Sequence, residues 1–122
     1  VRRPMAPSLR IGSIVVDCVD FGRMLEFWQA ALRYTPLYPP NGGWVILGDP
    51  QGVGPNLSLN RVPRRPPGRN HLHLDLYAKD RQKEVRRLLL LGAKRHRQAY
   101  GRDDDFRVLE DPDGNLFCVV QT

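Results

Sequence analysis

The sequence predicts an α+β domain assembled from two copies of one unit, a strand, a helix and further short strands. Three observations carry this. Ile11-Gly-Ser-Ile-Val-Val-Asp17-Cys-Val-Asp20, followed by a helical run through Trp28 and Leu32, recurs about 60 residues later as His71-Leu-His-Leu-Asp-Leu-Tyr-Ala-Lys-Asp80 and a run through Val85, Leu88 and Leu91. In each copy an Asp stands where the helix would begin, and short extended segments follow the helix. With only two copies, each must cover what the other leaves exposed, which predicts a closed, pseudo-symmetric domain with a shared pocket.

Taken in order, 1–8 with its prolines and arginines reads as a loose tail, and the domain as 9–122. Leu9 to Cys18 is apolar and β-branched, a buried strand. Asp20 is the N-cap candidate of a helix whose Met24, Leu25, Trp28, Ala31 and Leu32 recur at three and four residues, and Pro36 is expected to stop it. Asn41-Gly-Gly is a hairpin turn into the strand Trp44–Leu47. Asp49 to Pro55 is a loop, and Asn56-Leu-Ser-Leu-Asn60 alternates with 56, 58 and 60 on its polar face. Unit one is thus 9–60, and 61–69 is an Arg/Pro linker.

Unit two, 70–122, opens on a strict alternation that places Leu72, Leu74 and Leu76 on one face and His71, His73, Asp75 and Tyr77 on the other. Helices must cover the leucine face, so the imidazoles and the carboxylate look into whatever the sheet encloses. Asp80 to Leu91 is the second helix, ended by Gly92. Lys94–Gln98 and Asp105–Leu109 read as strands, Asp111-Pro-Asp-Gly-Asn115 as a turn and Leu116–Val120 as the last strand.

Composition narrows the function classes. At 122 residues, 41% hydrophobic and 26% charged, the chain is one ordinary globular domain that needs no staple. No apolar run approaches the roughly 20 residues of a membrane span, and Val1–Ser8 has no signal-peptide core, so a cytoplasmic location and no membrane partner are expected. Cys18 and Cys118 lack zinc-module spacing and read as buried free thiols. The charge of +6 invites nucleic acid, and Arg61, Arg64, Arg65 and Arg69 do cluster. Prolines interrupt that cluster and no aromatic residue accompanies it, so a solvated linker is expected and no nucleic-acid partner.

Two such units, with Asp111-Pro-Asp-Gly-Asn115 before the last strand, resemble the vicinal oxygen chelate superfamily of glyoxalase I, bleomycin-resistance proteins and extradiol dioxygenases. The resemblance spans Leu9 to Gln121. Arg61-Val62-Pro63, Leu72-His73-Leu74-Asp75-Leu76 and Phe117-Cys118-Val119 are similar to a glyoxalase-like subgroup. It implies βαβββ units whose mixed sheets curl around a cleft, with helices on the outer face, often in a homodimer. It also implies, in metal-dependent members, a divalent ion held from the first, fourth, fifth and eighth strands, typically by His, Glu, His and Glu. Those positions fall here on Ser13, on Ser58 or Asn56, on His73 and on Cys118. One His among four such positions does not hold a divalent ion, so no cofactor is expected. A metal, were one present, would need His73 with His71, Asp75 or Cys118.

The candidate site therefore consists of His73 as the catalytic or ligand-fixing group, with His71, Asp75, Trp44, Ser13, Ser58, Asn56 and Cys118 as ligand-binding candidates. His73 is either an acid–base group or an imidazole hydrogen-bonded inside the cleft. Cys118 is either a nucleophile activated by His73 or a packed thiol. Asp17 and Asp75 either pair with an arginine such as Arg61 or Arg107 or bind the polar end of a ligand. Asp103-Asp104-Asp105 reads as a solvated turn, and Asp111 and Asp113 as turn residues. The expected function is a metal-free, bleomycin-resistance-like cleft for an aromatic or polar small molecule, the arginine-rich linker attracting an acidic one. The alternative is a metal-dependent glyoxalase- or dioxygenase-like enzyme acting on vicinal oxygens.

Overall fold

The computed structural model describes Pro4, residues 13–64 and residues 73–122. Leu9 to Gly12 of the expected first strand, most of the linker, and His71 and Leu72 lie outside the described residues. The elements run β1 (Ser13–Cys18), α1 (Phe21–Leu32), β2 (Thr35–Pro36), β3 (Trp44–Gly48), β4 (Asn56–Arg61), β5 (Leu74–Ala78), α2 (Arg81–Leu91), β6 (Lys94–Arg95), β7 (Phe106–Glu110) and β8 (Leu116–Gln121). This is βαβββ twice.

Each unit folds the same four-stranded mixed sheet, ordered β1-β4-β3-β2 and β5-β8-β7-β6. β1 runs parallel to β4 and β5 to β8, while the remaining pairs are antiparallel. Each helix is the crossover between its unit's parallel strands and begins on the predicted aspartate, Asp20 accepting from Arg23 N–H and Asp80 from Lys83 N–H. Those caps satisfy amide donors that the first helical turn leaves without partners. Gly42 and Gly43 both adopt positive φ between the bridged Asn41 and Trp44, as a type I′ hairpin requires.

Three local expectations are corrected. Helix α1 ends not on Pro36 but at Leu32, where Arg33 turns left-handed at φ 57°, leaving Pro36 in edge strand β2. The strand expected over Lys94–Gln98 stops at Arg95. Beyond His96, the Val108 N–H is taken by the Tyr100 hydroxyl, so no ladder continues. The closed domain is not formed either: among the described residues β1 and β5 are hydrogen-bonded on one side only and the two sheets are separate.

What holds the halves together is a core of side chains. Phe21, Met24, Phe27, Trp28 and Ala31 form the buried face of α1, and Val85 and Leu88 that of α2. Trp28 packs edge-on against Phe27 at 5.1 Å and against Phe117 of the other unit at 5.2 Å between ring centroids. Pairs of this geometry contribute about 0.5–1.5 kcal/mol each beyond their burial. Arg87 on α2 donates to the carbonyls of Ala30 and Ala31, capping the end of α1 from the partner unit. Among the described residues no helix is long and apolar enough to cross a membrane.

Candidate functional site

Because β1 and β5 lie at the inner edges of their sheets, a cleft opens between the units. It has a volume of about 330 Å³ and is lined by Ile14 to Asp17 and Trp28 from unit one and by His73, Leu74, Asp111 and Asn115 to Phe117 from unit two. A cavity of this size accommodates a small organic molecule. Its apolar walls come from the strand edges and Trp28; its polar groups are Asp17, His73, Asp111 and Asn115.

The alternation read in the sequence separates a buried face of β5 from an exposed one, whereas the cleft is lined at the strand edges by residues of both faces, His73 and Leu74 among them. In unit two Leu74 and Leu76 are partly buried and pack on the core, while His73, Asp75 and Tyr77 are exposed. His73 Nε2 lies 3.3 Å from Asp75 Oδ1, with both side chains about half exposed, 59% and 48%. Cys118 stands directly across from Asp75 in the parallel ladder, and its sulfur, that carboxylate and the His73 imidazole lie within 4.8 Å of one another. Burial first, then the charge and hydrogen bond of Asp75, push the Cys118 thiol up from its ordinary pKa. A thiol held in this way is a poor nucleophile.

Unit one carries a neutral counterpart. The hydroxyls of Ser13 and Ser58 bond each other, and Asn56 is the backbone partner of Ser13. Further along the same face Asn60 donates to Asp17 at 3.1 Å, and Trp44 lies opposite Asn60 on the far side. Trp44 is therefore two strands removed from β1 and is not a lining residue of this cleft; the indole that lines it is Trp28.

Among the described residues the arginine pairs expected for the strand aspartates do not form. Asp17 is bonded to Asn60, and Asp75 stands 3.3 Å from His73 and across the ladder from Cys118. Arg61 lies over the Phe21 ring and Arg107 over Tyr100, because each leaves its strand on the side opposite the aspartates. Cys118 is likewise only half-buried, whereas Cys18 is fully buried; both are free.

Asp111 holds its turn and also joins it to the first unit. It is 1% exposed. Oδ1 accepts from the amides of Asp113 and Asn115, and Oδ2 from Asn115 Nδ2 and Trp28 Nε1. Burial raises its pKa and these donors oppose the rise. Asp113 extends the same link, accepting from Val19 and Asp20 N–H of unit one. A buried indole needs an acceptor, and this was the available signal for the pairing.

The resemblance implies a divalent ion at Ser13, Ser58 or Asn56, His73 and Cys118. These residues do not fit it. Two of the positions are hydroxyls that satisfy each other, and no carboxylate stands at any of the four.

A profile of the glyoxalase-like domain matches residues 13–120. Comparison with the curated proteins finds no match. Among solved structures, a glyoxalase/bleomycin resistance protein/dioxygenase family enzyme from Burkholderia phytofirmans PsJN superposes with a TM-score of 0.73 at 16% identity, covering 93% of this chain and 98% of that one. The trypanothione-dependent glyoxalase I of Leishmania major gives 0.73 at 18% identity, over 93% of this chain and 87% of that one. TnmS3, an antibiotic binding protein from Streptomyces sp. CB03234, gives 0.67 at 24% identity, over 97% of this chain and 98% of that one. With the profile spanning both βαβββ units and the same architecture in each of these structures, the chain belongs to the glyoxalase-like domain family of the vicinal oxygen chelate superfamily.

Proposed function

We propose that this protein binds a small organic molecule in the cleft between its two units, as a bleomycin-resistance-type binding protein, without the superfamily's four-ligand metal. The observation that carries this reading is the cleft itself, with apolar walls ending at Asp17 and His73. An aromatic or polar ligand would lay a flat apolar body against Val15, Leu116 and the edge of Trp28. Asp17 would accept from a donor on that ligand, and His73, steadied by Asp75, would supply a second polar contact. TnmS3, an antibiotic binding protein, supports a binding role on this fold. The rival reading, a metal-dependent enzyme, is supported by the glyoxalase I relative but requires ligands that Ser13 and Ser58 do not supply.

The test uses the two indoles. In a Trp44→Phe background Trp28 is the sole tryptophan. A panel of aromatic metabolites and antibiotics is screened by thermal shift, and each hit is titrated against Trp28 emission. A hit should quench or shift that emission and lose affinity in His73→Ala and in Asp17→Ala. Stabilisation that leaves Trp28 emission unchanged and ignores both substitutions would place the ligand elsewhere and end this reading. Turnover of a vicinal dicarbonyl or catechol that requires an added divalent ion would favour the rival.

A further inference from the structure

We propose that His73, Asp75 and Cys118 form a binding site for one thiophilic divalent cation, of which Zn2+ and Cd2+ are the type, built wholly within the second unit. One ligand atom from each of the three lies within 4.8 Å of the others. His73 Nε2 and Asp75 Oδ1, 3.3 Å apart, already stand at the spacing of two ligands on a tetrahedral zinc, about 3.3 Å from the usual metal–ligand distances. A sulfur and a nitrogen on the same ion stand about 3.6 Å apart, so the Cys118 sulfur has roughly an ångström to move. No backbone change is needed, because Asp75 and Cys118 are directly paired in the β5–β8 ladder.

The donor set selects the ion. One imidazole, one carboxylate and one thiolate suit a soft or borderline cation in tetrahedral geometry, and offer too few oxygens for Mg2+ or Ca2+. With three protein donors the fourth position is left to water. On binding, Cys118 gives up its thiol proton to solvent and the thiolate bonds the metal. Exposure of His73 and Asp75 gives the ion an open approach.

This is not the four-residue set drawn from both units. Asp75 belongs to none of those four positions, and unit one takes no part. The repeat supplies an internal comparison: His73, Asp75 and Cys118 correspond to Ser13, Val15 and Ser58, where two hydroxyls bond each other and the central position is aliphatic. The same backbone thus presents a ligand set in one unit and none in the other. The proposal does not rest on the cleft reading, since the ion would bind with or without an organic ligand.

The experiment takes the full, tag-free chain, reduced and stripped with chelator, and titrates it with Cd2+ while following the ultraviolet thiolate-to-cadmium charge-transfer band, with Zn2+ as competitor. One Cd2+ per chain is expected, displaced by Zn2+ and not by Mg2+. The band should vanish in Cys118→Ser and persist in Cys18→Ser. Asp75→Asn, an exposed change that leaves the core untouched, should weaken binding by at least the roughly ten- to hundred-fold that loss of even an outer-shell partner costs. No band, a band surviving in Cys118→Ser, or unchanged affinity in Asp75→Asn would each overturn the proposal. A failed ligand screen with an intact cadmium band would count against the cleft reading alone.

Discussion

The indole of Trp28 donates to the carboxylate of Asp111 across 3.2 Å, joining residues 83 positions apart in a contact buried from solvent. One comes from the helix of the first unit and the other from the last turn of the second. The bond does what a β1–β5 ladder would otherwise do: it fixes how the halves meet, and it forms one wall of the cleft.

Replacing Asp111 therefore tests the join. In Asp111→Asn an amide NH2 must face donors that the carboxylate accepted, leaving buried groups unpaired at about 1–3 kcal/mol. Urea denaturation should show that loss at neutral pH, and Asp111→Ala should cost more. Burial raises the folded pKa of this group, so its contribution to stability is largest below the ordinary carboxylate value and declines as pH rises through the folded pKa. Against the wild type, Asp111→Asn should lack that component of the pH dependence.

Asp49 behaves in the opposite sense. The backbone N–H groups of Gly54 and Gln51, and also Val53, hold its pKa below the ordinary 3.8. The stabilisation is present above that value and disappears as pH falls through the lower folded pKa. Protection of the Gln51, Val53 and Gly54 amides, measured as exchange relative to the intrinsic rate at each pH, should fall in acid, and Asp49→Ala should show the same loss of protection at neutral pH.

Arg33 occupies the left-handed region at φ 57°. A non-glycine residue there carries a strain of about 1–2 kcal/mol, while glycine adds roughly 0.4–1 kcal/mol of unfolded-state entropy to be lost on folding. Arg33→Gly should accordingly stabilise the chain by roughly 0.5–1 kcal/mol in denaturant melts. A decrease in stability would mean that the Arg33 side chain makes a compensating contact.

The two thiols should react in a fixed order. Burial, reinforced by Asp113, Asp111 and Asp17, pushes the Cys18 pKa up to about 11, and its side chain is fully buried. Native alkylation followed by mass spectrometry should label Cys118 first and Cys18 only on unfolding. Because Asp75 helps keep the Cys118 thiol protonated, Asp75→Asn should speed labelling there.

Both helices, their aspartate caps, the two-unit plan and the shared face of His73 and Asp75 were legible in the sequence, because each follows from periodicity, from a capping residue or from the offset between repeats. Such signals are local: they say which way a side chain leaves its own strand. They do not say which strands sit at the inner edge of a sheet, so the sequence offers Trp44 as a cleft residue where the structure places Trp28. The apposition of β1 and β5, the link from Asp111 to Trp28 and the placing of Asp75 beside Cys118 rather than an arginine were decided only by the tertiary structure. The reason is physical. Which buried donor meets which acceptor depends on how two half-cores pack around shared aromatic rings, and that information is carried by neither half alone.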